Sequence, residues 1–94
     1  MANKINADII IYTKDNCPYC TYAKQLLEEK GASYKEIAID KDTDESKEAM
    51  EFMSSKVLKT VPQIMINNKL IGGYDDLKKL DNDGNLDDLL SIPA

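Results

Sequence analysis

One stretch restricts the fold more than any other. A nearly continuous apolar, β-branched run from Ala7 to Tyr12 is followed by a polar loop, Thr13-Lys14-Asp15-Asn16. A helix-patterned segment then runs from Pro18 to Lys30, with Tyr19, Ala23, Leu26 and Leu27 on one face, and a second strand-like run covers Tyr34 to Ile39. Pro18 suits the first position of a helix, and Gly31 is a natural stop. Strand, helix and strand within about 35 residues make a βαβ unit, whose strands are parallel and whose crossover is right-handed. The first run is apolar at nearly every position and reads as a strand covered on both faces.

The remainder extends this unit. A second helix is expected from Asp44 to about Lys56, burying Ala49, Met50, Phe52 and Met53. Gln63–Ile66 and Lys69–Ile71 read as short strands joined across Asn67-Asn68, a hairpin signal. After Gly72-Gly73 two short helices are expected, Asp75–Leu80 and Leu86–Leu90, with Asp81-Asn82-Asp83-Gly84 as the turn between them. The order predicts an α/β fold: a four-stranded mixed sheet flanked by helices. With 94 residues, one domain over 1–94 is expected.

Composition removes many activities. Without His, the catalytic triads, His-rich zinc sites and His acid–base chemistry drop out. All twelve basic residues are Lys, so no Arg fork is present for phosphate or guanine. Seventeen acids give a net charge of −5, which disfavours nucleic acid and anionic membranes as partners. No run approaches the roughly 18 apolar residues of a spanning helix. Residues Met1 to Asp8 lack the apolar stretch and cleavage site of a secretory leader, so a cytoplasmic location is expected.

Two cysteines remain, three apart, in Cys17-Pro18-Tyr19-Cys20, where the buried strand hands over to the helix. With Pro18 as the first helical residue, Cys17 occupies the N-cap. Its sulfur then faces the unpaired N–H groups of the first turn, that of Cys20 among them, and the positive end of the helix dipole. A thiolate there is stabilised, and the Cys17 thiol is expected well below the free value of about 8.5. Lys14 and Lys24 either add positive charge or are solvated. Cys20, inside the turn, has less access to those donors. A non-helical N-cap also lets the two sulfurs close to bonding distance, which describes a redox pair with Cys17 attacking and Cys20 resolving. Three alternatives stand beside it: a structural disulfide, a pair of inert thiols, and half of a metal site that would need further ligands.

The segment Tyr12-Thr13-Lys14-Asp15-Asn16-Cys17-Pro18-Tyr19-Cys20 resembles a glutaredoxin, and two later motifs agree: Thr60-Val61-Pro62-Gln63 and Gly72-Gly73-Tyr74-Asp75-Asp76-Leu77. The resemblance covers about residues 8–90 and is strongest to the small bacterial dithiol type. It is weaker to thioredoxins, which carry Trp before the first cysteine and Gly-Pro between the two.

The resemblance implies a thioredoxin-like fold and a glutathione-dependent thiol–disulfide oxidoreductase. That enzyme reduces protein disulfides and glutathionylated proteins through a redox-active Cys17–Cys20 disulfide. Glutathione is its reducing co-substrate, with no bound cofactor and no metal. It further implies a cis peptide before Pro62, freeing the Val61 backbone for the cysteinyl unit of glutathione. The N–H groups at Asp75 and Asp76, beyond Gly73 and Tyr74, would hold the glutamyl α-carboxylate, and the Asp76 carboxylate the α-ammonium. Lys14 and Tyr19 would lie near the glycyl carboxylate, and Thr60 would border the groove. Some relatives carry Arg or Gln just before the Thr-Val-Pro motif, where this chain has Lys56-Val57-Leu58-Lys59.

A monomer is expected, with ribonucleotide reductase as one family partner. Two other functions fit the same residues: a glutathione-ligated [2Fe–2S] module shared between two protomers, and a donor reduced by thioredoxin reductase. The stretch Asp40–Glu51 imitates a calcium loop, but Glu45 stands where its sharp turn needs Gly.

Overall fold

The computed structural model describes residues 7–90. The expectation of a leader-free start rests mainly on residues 1–6, which lie outside the described residues. Four strands and four helices follow in the order β1 (Ile9–Thr13), α1 (Pro18–Glu29), β2 (Lys35–Ala38), α2 (Asp44–Ser55), β3 (Gln63–Ile66), β4 (Lys69–Gly72), α3 (Tyr74–Asn82) and α4 (Asn85–Leu90). The sheet order is β2-β1-β3-β4, with β1 parallel to β2 and antiparallel to β3, and β3 antiparallel to β4. This is the expected mixed sheet, and β1 is one of its two inner strands.

Strand alternation divides the core in two. Ile9 and Ile11 of β1 lie opposite Ile66 and Ile64 of β3, and this layer packs on Ala23, Leu26 and Leu27 of α1 and on Leu77, Leu86 and Leu90. The other layer joins Tyr12, Ile10, Ile37 and Met65 to Ala49, Phe52 and Met53 of α2. The Tyr12 ring stacks on Phe52 at 5.5 Å between centroids. Ser46, buried on the same helix face, donates its hydroxyl hydrogen bond to the Ala38 carbonyl and so ties α2 to β2.

Several boundaries and orientations differ from the sequence reading. β1 begins at Ile9 because Asp8 is spent on the hairpin: its N–H donates to Asn67 Oδ1 at 2.9 Å and its carbonyl accepts from Asn67 N–H at 2.8 Å. Asn67 and Asn68 both have positive φ, 52° and 65°, as a two-residue hairpin turn of the primed kind requires. Met50 is not core but 44% exposed: Ser46, Ala49 and Met53 define the inward stripe of α2, and Met50 lies off it. Tyr19 is likewise not core; it is 58% exposed, because the first turn of α1 faces the start of α3 rather than the sheet. α3 runs from Tyr74 to Asn82, longer than Asp75–Leu80, and Asp81, expected in a turn, sits in its last turn paired with Lys30 at 2.6 Å. Among the described residues no helix is long and apolar enough to cross a membrane.

Candidate active site

The buried strand β1 ends at Thr13, and the next four residues lift the chain to the top of α1. Two contacts with the β2–α2 connection fix that loop. The Asp15 N–H donates to Asp40 Oδ2 at 3.0 Å, and Lys41 Nζ donates to Asp15 Oδ2 at 2.6 Å. The Asp15 N–H also holds the Asp40 carboxyl below its usual range. Asn16 takes a left-handed conformation, φ 57°, and turns the chain into Cys17.

Cys17 is the N-cap of α1, with extended backbone (φ −114°, ψ 99°) and Pro18 next. Its sulfur accepts the Cys20 N–H at 3.2 Å, and the first turn contains no acidic residue. The positive end of this helix is therefore left uncompensated by side-chain charge. The two cysteines form a disulfide with Cα atoms 5.2 Å apart. Cys17 is half-buried, whereas Cys20 is only 2% exposed. An outer sulfur with helix donors behind it and an inner sulfur shielded by the helix can divide attack and resolution between them.

A groove of about 550 Å³ opens beside the disulfide. Its lining includes Thr60, Val61 and Pro62, then Gly72, Gly73, Asp75 and Asp76, with the Tyr19 and Tyr74 rings 6.0 Å apart between centroids. The Val61–Pro62 peptide is cis, and the Val61 carbonyl oxygen lies 3.8 Å from Cys17 Sγ. Gly73 is the N-cap of α3, and its N–H donates to Asp76 Oδ2 at 3.1 Å. Gly72 has φ 119°, and a Cβ there would collide with the Asp76 carboxylate, so only glycine fits. Asp76 thus already serves the helix cap with one oxygen.

The structure brings most of the expected residues together. Tyr19, Thr60, Val61, Pro62, Gly73, Tyr74, Asp75 and Asp76 share the groove. Lys14 does not line it; it lines a second, polar hollow of about 590 Å³ on the other side of Cys17, with Thr13, Lys24 and Glu36. Lys24 pairs with Glu36 at 3.1 Å, and Glu36 also accepts from the Thr13 hydroxyl at 2.7 Å.

Four contributors were not anticipated. Tyr22 joins Tyr19 and Tyr74 in an aromatic cluster with centroids 5.9–6.0 Å apart. Its spacing from Tyr19, three residues along a helix, was the available signal. Leu58 and Leu70 add apolar lining to the groove, which no local pattern announces. Gln63 was visible in the motif, but its side-chain contacts with Thr60 were not. Among the described residues, no cluster of His, Cys, Asp or Glu is arranged to hold a metal ion.

A family model described as glutaredoxin matches residues 9–71. The chain is similar to glutaredoxin 1 of Rickettsia typhi (strain ATCC VR-144 / Wilmington), 49% identical over 90 residues, which cover 96% of this chain and 86% of that protein. It is also similar to glutaredoxin 3 of Escherichia coli (strain K12), 48% identical over 84 residues, 89% of this chain and 98% of that one. Among solved structures, a buckwheat glutaredoxin–glutathione complex matches with a TM-score of 0.78 at 29% identity, covering 92% of this chain and 78% of that one. The solution structure of glutaredoxin from Brucella melitensis matches at 0.73 and 44% identity, covering 89% and 88%. The architecture is the thioredoxin-like fold that the sequence motifs implied. This chain belongs to the glutaredoxin family: it is a glutathione-dependent thiol–disulfide oxidoreductase acting on protein disulfides.

Proposed function

We propose that Cys17 is the attacking sulfur and Cys20 the resolving one. The observation that carries this is the asymmetry of the pair: Cys17 caps α1 and accepts the Cys20 N–H at 3.2 Å, while Cys20 is buried behind it. The Cys17 thiolate attacks the glutathione sulfur of a mixed disulfide, the protein thiol leaves, and glutathione remains on Cys17. A second glutathione thiolate attacks that glutathionyl sulfur, and oxidised glutathione departs. With a protein disulfide, Cys17 becomes joined to the substrate, and the Cys20 thiolate attacks Cys17 Sγ to expel the reduced protein.

We further propose that the groove binds glutathione along its length. The Val61 backbone pairs with the cysteinyl unit beside Cys17. The first-turn N–H groups of α3 at Asp75 and Asp76, beyond Gly73 and Tyr74, take the α-carboxylate, since a helix N-terminus favours an anion. The second oxygen of Asp76 takes the α-ammonium. Thr60 borders the groove, Tyr19 lies near the glycyl carboxylate, and Lys14 reaches that carboxylate from the neighbouring hollow. From the family resemblance we also propose a monomeric single domain over 1–94 that works in the cytoplasm, with ribonucleotide reductase as one family partner. The test is glutathione-coupled reduction of a small mixed disulfide by Cys17→Ser and Cys20→Ser; a Cys17→Ser protein that retains activity overturns the assignment.

A further inference from the structure

The segment nearest Cys17, Thr60-Val61-Pro62, lies outside any helix or strand, and the Gln63 side chain bonds to its first residue. Gln63, the first residue of β3, is 6% exposed and pairs across the sheet with Tyr12. Its Nε2 donates to the Thr60 carbonyl at 2.9 Å and lies 3.3 Å from Thr60 Oγ1. A carbonyl only accepts, so the amide nitrogen, not the oxygen, has to face Thr60. Gln63 Oε1 is then left buried with no hydrogen-bond partner among the described residues. Burying an unmet acceptor is unfavourable, and an apolar side chain at this sheet position would avoid it. The donor end of the amide is the use that offsets the cost.

We infer that Gln63 is a positioning residue for glutathione. By gripping both the carbonyl and the hydroxyl of Thr60, it fixes the backbone that presents Val61, whose carbonyl lies 3.8 Å from Cys17 Sγ. Gln63 itself touches neither sulfur, so it acts on recognition of the co-substrate and not on thiol chemistry. The inference rests on the proposal that glutathione pairs with Val61.

Three measurements on the whole chain test it. Gln63→Leu keeps the volume and removes the donors. Its kcat/KM for glutathione is expected to fall about five- to tenfold, the effect of one hydrogen bond in a buried setting. With dithiothreitol as reductant, which needs no groove, its rate stays within a factor of about two of the unsubstituted protein. Gln63→Glu supplies a readout that space-filling alone would not move. Ionised, its carboxylate cannot donate to Thr60; protonated, it can.

The glutathione kcat/KM of Gln63→Glu, relative to the unsubstituted protein at each pH, is therefore expected to recover as pH falls from 7.5 to 5. Taking the ratio at each pH cancels the titration of glutathione. Tyr12 across the strand pair, its hydroxyl pushed up by burial, stays neutral over this range. The charged groups near this position, Lys59 beside Thr60 and Asp75 and Asp76 in the groove, are the same residues in both proteins. A Gln63→Leu protein that uses glutathione normally overturns the inference, as does a Gln63→Glu ratio flat with pH. If Gln63→Leu does not fold, the pH ratio of Gln63→Glu decides alone. Asp76→Asn run in parallel separates the two claims: if it weakens glutathione use and Gln63→Leu does not, only the Gln63 inference fails. If neither variant weakens it, the groove proposal fails as well.

Discussion

The N-termini of α1 and α2 are built alike and do different things. In each, an extended N-cap residue offers a side-chain atom to the N–H three residues on. Cys17 Sγ accepts from Cys20 at 3.2 Å, and Thr43 Oγ1 accepts from Ser46 at 3.0 Å. In α2 the positive helix end is compensated by Asp44 and Glu45 in the first turn; in α1 the first turn has no acid. α2 is thus capped and electrically settled, whereas α1 holds donors and dipole in reserve for the charge on a sulfur. A reactive thiolate needs no special backbone, only the common cap with a different atom and the compensating acids left out.

Exchanging the cap atom has the largest expected effect. Cys17→Ser turns the α1 cap into an ordinary hydroxyl cap like that of Thr43, and reduction of small and protein disulfides is expected to stop. Cys20→Ser keeps much of the activity on small glutathione mixed disulfides and loses most of that on protein disulfides. Equal failure of both variants in both assays would show that the two sulfurs do not divide the work.

A third helix start extends the comparison, because α3 carries Asp75 and Asp76 in its first turn yet is proposed to bind a zwitterion. Asp76→Ala removes both the ion partner and the acceptor for the Gly73 N–H. It is expected to cost about 1–2 kcal/mol in glutathione use, as for one charge-assisted hydrogen bond. Asp76→Asn, which keeps an acceptor for the cap, separates charge from capping: an unchanged dependence on glutathione means the carboxylate serves only the helix.

The reserve of charge at α1 is measurable directly. Alkylation rate against pH in Cys20→Ser is expected to show an inflection well below the free thiol value of about 8.5. An inflection at or above that value removes the electrostatic half of the contrast. At α2, Thr43→Ala is expected to lower stability by about 1 kcal/mol in denaturant titration and to leave disulfide reduction unchanged. A loss of activity without loss of stability would contradict the assignment of that cap to structure alone. The smallest expected effect comes from making α1 resemble α2. Thr21→Glu, at the exposed end of the first turn, should raise the Cys17 inflection by a few tenths of a unit, equivalent to about 0.3–1 kcal/mol of dipole interaction.

How much of this could be read from the chain depended on whether the signal was periodic. β1, α1 and the N-cap role of Cys17 follow from an apolar run, a helical period and a proline, all local. The three motifs gathered most of the groove in advance. Side-chain directions at the ends of elements were not legible. Tyr19 fits the apolar face of α1 by spacing, yet its neighbour is Tyr74 of α3, fifty-five positions away and invisible to a helical pattern. Lys24 and Glu36 lie twelve residues apart on a helix and a strand, and only the parallel pairing of β1 with β2 brings them together. Gln63 was in plain sight, but a strand residue shows its partners only once the loop before it is folded.

The tyrosine cluster has an optical consequence. The chain contains five tyrosines and no tryptophan, so its ultraviolet emission comes from tyrosine alone. Three of the five, Tyr19, Tyr22 and Tyr74, stand within 6.0 Å of one another between centroids, and Tyr19 is separated from each cysteine by no more than one position. A closed disulfide is an efficient quencher of neighbouring phenol fluorescence, and an open dithiol is a poorer one. The unlabelled protein therefore carries its own indicator: emission should brighten as the pair is reduced, so turnover can be followed in real time without a dye or a coupled enzyme.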